Sequence, residues 1–155
     1  MTHEAEDPQK LLPVYMAQKV ILLTRILNLT REIEVRSRQS EIKMDDVIER
    51  RQLYLDRLAK CHQMIGKTCA ALPAEQCERQ KKILAGRLPT EECSPEETHL
   101  LQLGAQCGTL LQKTLATDRE ARERLQCECD RARRRIADIR KEEAAKRQKH
   151  PAAGA

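Results

Sequence analysis

Seven cysteines, a Glu-x-x-His spacing and a run of arginines are the features of this 155-residue chain that could carry chemistry. Cys61, Cys69 and Cys77 recur every eight residues, while Cys127 and Cys129 are one residue apart and no Cys-x-x-Cys pair occurs. On a helix, Cys127 and Cys129 point to nearly opposite sides, so they cannot share a metal without unwinding it. The count is odd, and the first residues, Met1-Thr2-His3-Glu4-Ala5-Glu6-Asp7, are acidic where a signal peptide would be basic. Buried or half-buried free thiols are therefore expected rather than a disulfide framework. Glu96-x-x-His99 matches half of the carboxylate-bridged di-metal signature of ferritin-like bundles. A second copy fails because Ala59 stands three residues before His62, so Glu96 reads better as first-turn electrostatics. Ser37, Ser40 and Ser94 fall where helices should break or begin, with no Gly-rich elbow around them. Asp45 and Asp46 diverge by about a quarter turn and make a poor acid/base pair. No phosphate-cradling glycine loop is present. The chain reads as a non-enzyme with no metal or cofactor.

Arg131-Ala132-Arg133-Arg134-Arg135 is the strongest candidate for phosphate contacts. It sits in residues 119–149, which hold 12 Lys/Arg against 7 Asp/Glu, the whole of the net charge of +5. The favoured reading is a solvated helix face, because acid and base stand four apart in Glu120/Arg124, Asp130/Arg134, Glu142/Lys146 and Glu143/Arg147. Ile136 and Ile139 follow the cluster and give the segment a partner-facing side. Sequence-specific readout would need a groove-fitting motif that is missing here.

The elements that position these residues are helices. Two tyrosines are the only aromatics, and five glycines and six prolines are too few to punctuate a β-sandwich or barrel. The same shortage removes the stacking platforms of a single-strand nucleic-acid reader. The longest aliphatic run, Val20-Ile21-Leu22-Leu23, is far below the ~20 residues that cross a bilayer. A cytoplasmic, all-α protein without membrane insertion is expected.

A first helix is expected over 9–37. Leu12, Tyr15, Leu22, Ile26, Leu29 and Ile33 form one seam with Lys19 its charged member, and Met16, Val20, Leu23 and Leu27 widen it toward a second neighbour. A second helix over 43–65 should bury Met44, Val47, Ile48, Tyr54, Leu55, Leu58, Cys61 and Ile65 and stop at Gly66. An irregular middle contains a short helix over 74–85. Ser94-Pro95-Glu96-Glu97 then forms a capping box, from which a final helix runs over 95–148. Its apolar track persists through Leu125, Ile136 and Ile139, with Asp118 the charged residue on it. The expected architecture is an elongated antiparallel bundle or hairpin of three long helices with a short irregular insert. Its domain covers 9–149, with disordered ends at 1–8 and 150–155.

Two stretches resemble a known family. Leu22-Leu23-x-x-Ile26-Leu27-x-Leu29-Thr30-x-Glu32-Ile33, followed by Asp46-Val47-Ile48-Glu49-Arg50-Arg51-Gln52-Leu53-x-Leu55-x-x-Leu58, is similar to bacterial flagellar export chaperones of the FliT and FlgN kind. Leu115-x-x-Asp118-x-x-x-Arg122-x-x-Leu125 and the basic stretch after it stand closer to the FliT pattern. The resemblance spans about two thirds of the chain and leaves out the cysteine-rich insert at 61–93. It implies a chaperone without ATPase activity that holds a late export substrate, a filament-cap or hook–filament junction protein, and delivers it to the export gate or the export ATPase complex.

Such a role needs an apolar groove for a partner helix. The candidate contacts are Val20, Leu23 and Leu27 on the first helix and Leu125, Ile136 and Ile139 on the last. On this reading Leu103, Leu111 and Leu115 pack on the first two helices, and the chain beyond Asp118 is detachable. Asp118 either marks an opening of the seam, fixes the register of the helices, or stays wet through curvature. The alternatives are self-burial or a homodimer, a coiled-coil adaptor or structural subunit, and a basic helical nucleic-acid binder.

Overall fold

A computed structural model describes residues 7–149. Four α-helices follow one another in the chain: α1 over Pro8–Arg36, α2 over Asp45–Ala70, α3 over Ala74–Leu84 and α4 over Pro95–Lys149. A 3-10 turn at Thr90–Glu92 precedes α4, and no strand occurs among the described residues. The protein is all-α. The ends expected to be disordered lie outside the described residues, except Asp7 and Pro8. Asp7 caps α1 by accepting from the Gln9 N–H at 3.1 Å, and Pro8 occupies the first helical position.

Helix α1 is buried on two sides, as its wide apolar face requires. It packs along both α2 and α4. Opposed pairings set α2 antiparallel to it: Arg36 meets Asp46, Arg25 meets Tyr54, and the Tyr15 carbonyl accepts from the Cys61 thiol. Helix α4 runs in the same direction as α1, since Leu100 lies with Leu12 at one end and Ala121 with Leu29 and Ile33 at the other.

Helix α2 is longer than its spacing predicts. Gly66 does not end it, because the next turn still buries Thr68 and Cys69. The stop comes after Ala70, where Pro73 disfavours helical geometry in the residue before it. Ile48 and Leu55, expected inside, are 45% and 37% exposed because the seam of α2 follows Val47, Tyr54, Leu58 and Cys61 instead.

The chain reverses between α2 and α4 through α3, whose end is closed by Gly86 at φ +71°. The Arg87 N–H donates to the Lys82 carbonyl and the Gly86 N–H to that of Ile83, the hydrogen-bond pattern of a left-handed helix stop. Gly104 of α4 then admits α3 at close range: a methyl group there would overlap the Leu84 carbonyl backbone. Gly108, one turn later, has open space around it. The capping box forms reciprocally, with the Glu97 N–H donating to Ser94 Oγ at 3.2 Å and the Ser94 N–H to Glu97 Oε1 at 3.1 Å. Arg79 of α3 also holds Glu97, at 2.8 Å.

The two glycines should respond oppositely to alanine. Gly108→Ala should stabilise the protein by about 0.5–1 kcal/mol through helix propensity, whereas Gly104→Ala should destabilise it by more than about 1 kcal/mol because backbone must move. Chemical denaturation of both variants reads this directly. Glu97 gives a second test. The Arg79 guanidinium and then the Ser94 N–H draw its carboxyl down to about 2. The folded-state value lies below the unfolded one, so this contribution is complete above about pH 5 and is lost as pH falls toward 2. The stability difference between the wild type and Glu97→Gln, roughly 1–2 kcal/mol at neutral pH, should shrink over that window.

Candidate protein-binding surface

The six apolar residues singled out by the sequence do not share one surface. Leu23 and Leu27 are each 3% exposed and belong to the interior, and Val20 packs against the same core. A groove on α1 around these three is therefore corrected: the second seam of α1 is spent on its own neighbours. Leu125 of α4 packs against the cluster of Leu29, Ile33, Met44, Val47 and Ala121. Ile136 and Ile139 are half exposed, and every residue from Gln126 to Lys149 is exposed. Leu111 and Leu115, expected against the first two helices, are 47% and 56% exposed. The core-facing stripe of α4 passes beside them through Leu110 and Thr114, which are partly buried.

The boundary of the packed part lies near residue 125 rather than at Asp118. Its position follows from α1, which ends at Arg36. Just before that end, Glu34 is buried and accepts from Arg38 Nε at 2.8 Å and from Arg124 Nη1 at 2.7 Å. These cations, Arg38 first, outweigh burial and hold the Glu34 carboxyl below the usual carboxylate range. Arg124 is thereby diverted from Glu120, its expected partner four residues earlier. The last contacts of α4 are thus a charge clasp and Leu125. Beyond them α4 continues for 24 residues, about 36 Å, every one of them exposed.

Asp118 has its partners inside the fold. Arg51 of α2 donates to it at 2.9 Å and Arg122 lies at 2.7 Å, with the Asp118 and Arg51 side chains only 20% and 21% exposed. Arg51 Nη1 also lies 3.5 Å from the buried Thr30 hydroxyl of α1, so one guanidinium touches all three long helices. Of the three possibilities for Asp118, the structure favours the register lock. The sequence signal for it was an arginine on the apolar seam of α2, four residues after Val47.

The seven free thiols fall into three groups, with Cys77 and Cys93 half-buried between the extremes. Cys61, Cys69 and Cys107 are buried, and burial raises their pKa values. Cys127 and Cys129, expected to be at least half buried, are exposed on the free segment. Glu96 and His99 are exposed at the start of α4, and among the described residues no three His, Cys, Asp or Glu side chains converge as a metal site. They line a cleft of about 870 Å³ with Lys10, Gln76 and Arg79. Among the described residues no helix is long and apolar enough to cross a membrane. No protein-family model, curated protein or solved structure matches the chain.

A double-mutant cycle on Arg51 and Asp118 should give a coupling of about 1–2 kcal/mol, because both partners are largely shielded. The same cycle on Asp118 and the exposed Arg122 should give less than about 0.5 kcal/mol. Equal couplings would place Asp118 in open water instead of at a lock.

Proposed function

We propose that the protein works by binding another protein through the free C-terminal part of α4, with α1, the antiparallel α2 and the parallel first part of α4 acting as the helical bundle that presents it. The observation that supports this most is the continuity of one stripe. Ala121 is buried, and Ile139 follows it by eighteen residues, about five full turns, and so faces the same way. Ala132 and Ile136 lie within about a sixth of a turn of that line. The face that packs on α1 therefore runs on past the end of α1 with apolar residues still in place.

A surface helix that packs on nothing has no use for two isoleucines, each of which gains about 1.5–3 kcal/mol on full burial. Scattered exposed residues such as Val14, Ile21 and Leu53 need no such explanation. Within protein binding, the narrower reading is a cytoplasmic flagellar export chaperone, supported by the resemblance of residues 22–58 and 115–125. The late export substrate would then occupy the free segment of α4.

Ending the chain after Gln126 tests this. The shortened protein should keep its core helicity and melt within a few degrees of the full chain, since every described residue that is removed is exposed. It should also lose binding to a filament-cap or hook–filament junction protein, measured by calorimetry. Unfolding of the shortened chain would make the segment part of the core. Retained binding would move the site to the packed helices.

A further inference from the structure

The chemistry of the partner can be taken one step further, on the reading that the free part of α4 is a binding surface. We infer that its occupant is an amphipathic helix of a different protein, with acidic residues flanking its apolar face, and that a second copy of this chain is excluded. The stripe on α4 follows a three-four spacing through Leu125, Cys129, Ala132, Ile136 and Ile139. One flank of that stripe carries Arg133, Arg140 and Arg147, seven residues apart and all exposed. The opposite flank is mixed, with Glu128, Arg135 and Glu142. Residues 126–149 hold nine Lys/Arg and five Asp/Glu, so any two copies brought together repel at long range.

Self-pairing fails in both orientations. In a parallel pair the axis would run along the stripe, but α1 of each copy already occupies that side up to Arg36, where Glu34 clasps Arg124. The two packed parts would collide across the axis. In an antiparallel pair, matching the apolar lengths sets Cys129 against Ile139 and Ala132 against Ile136 of the other copy. That register brings Arg133 against its own equivalent, and likewise Arg135. Like charges facing one another on both flanks oppose the pairing that the apolar residues favour.

An acidic helix meets neither obstacle. Coming from another protein, it brings no copy of α1 to the axis, and its carboxylates can reach the arginine flank bidentately. Its apolar face would cover Ile136 and Ile139, continuing the line that α1 covers lower down. Nucleic acid would use the arginines but leave the isoleucines wet, and Glu128, Asp130, Asp138, Glu142 and Glu143 would repel its phosphates.

The test uses the full chain and two synthetic four-heptad peptides with identical Ile/Leu faces, one flanked by Glu and one by Lys. Anisotropy titrations should show the Glu peptide binding at least about tenfold more tightly than the Lys peptide. Ile136→Asp with Ile139→Asp should weaken the Glu peptide by about tenfold or more while leaving helicity of the packed part unchanged. Arg133→Glu with Arg140→Glu and Arg147→Glu should reverse the preference between peptides. Equal binding of both peptides overturns the inference. So does binding that ignores the isoleucines and is displaced by duplex DNA. A stable dimer in sedimentation that dissociates on Ile136→Asp also overturns it. If a flagellar substrate binds the free segment while the Glu peptide does not, this inference fails and the proposed function survives. If the peptide binds and no flagellar substrate does, the inference stands without the chaperone reading.

Discussion

Helices α2 and α4 bury their apolar faces against the same neighbour, α1, and the length of that neighbour sets the length of the core. Leu12 and Met16 serve one end, and Leu29 and Ile33 the other. Where α1 stops at Arg36, packing stops for everything beside it. Helix α4 does not stop there, because nothing in its sequence breaks a helix before Lys149 and its first turn is held by a reciprocal capping box. The molecule is thus a packed half defined by α1 and an unpacked half that exists because α4 outlasts it.

Polar groups fix how the helices meet. A carboxylate inside an apolar seam is costly unless a cation reaches it, and here two such places recur along α4. Arg51 reaches Asp118 across from α2, and Arg124 reaches back to Glu34 of α1. Hydrophobic residues alone tolerate sliding by a turn, whereas these pairs do not, so the register of α4 against both neighbours is specified twice. Tyr54 adds a third polar marker on α2, with the Arg25 and Arg57 guanidinium groups 5.6 and 5.3 Å from its ring centre.

Much of the helical plan was legible in the sequence. The width of the α1 seam foretold two neighbours, and Ser94-Pro95-Glu96-Glu97 located the start of α4 to the residue. Glycine was less legible, because its meaning depends on what stands beside it. Gly66 lies within a helix with nothing near, and Gly104 is where the backbone at the end of α3 comes close to α4. The candidate surface was half legible. Ile136 and Ile139 carried a period but no sign of whether a neighbour covered them, which depends on where α1 ends. Leu23 and Leu27 carried the same period and are covered. Leu111 and Leu115 follow steps of four, whereas the packed stripe keeps a seven-residue repeat through Leu100, Cys107, Thr114 and Ala121 and leaves them one position off it.

The parallel placement of α1 and α4 has a consequence in time. Glu34 and Arg124 are 90 residues apart in the chain. At about 5–20 residues per second of synthesis, roughly 5–20 seconds separate the appearance of the first from that of the second. During that interval α1 can close against α2, but the side of Leu29 and Ile33 that meets Ala121 and Leu125 stays uncovered. That delay is set by the ribosome rather than by helix formation, which takes microseconds. The nascent chain exposes for seconds an apolar surface that the finished protein never shows.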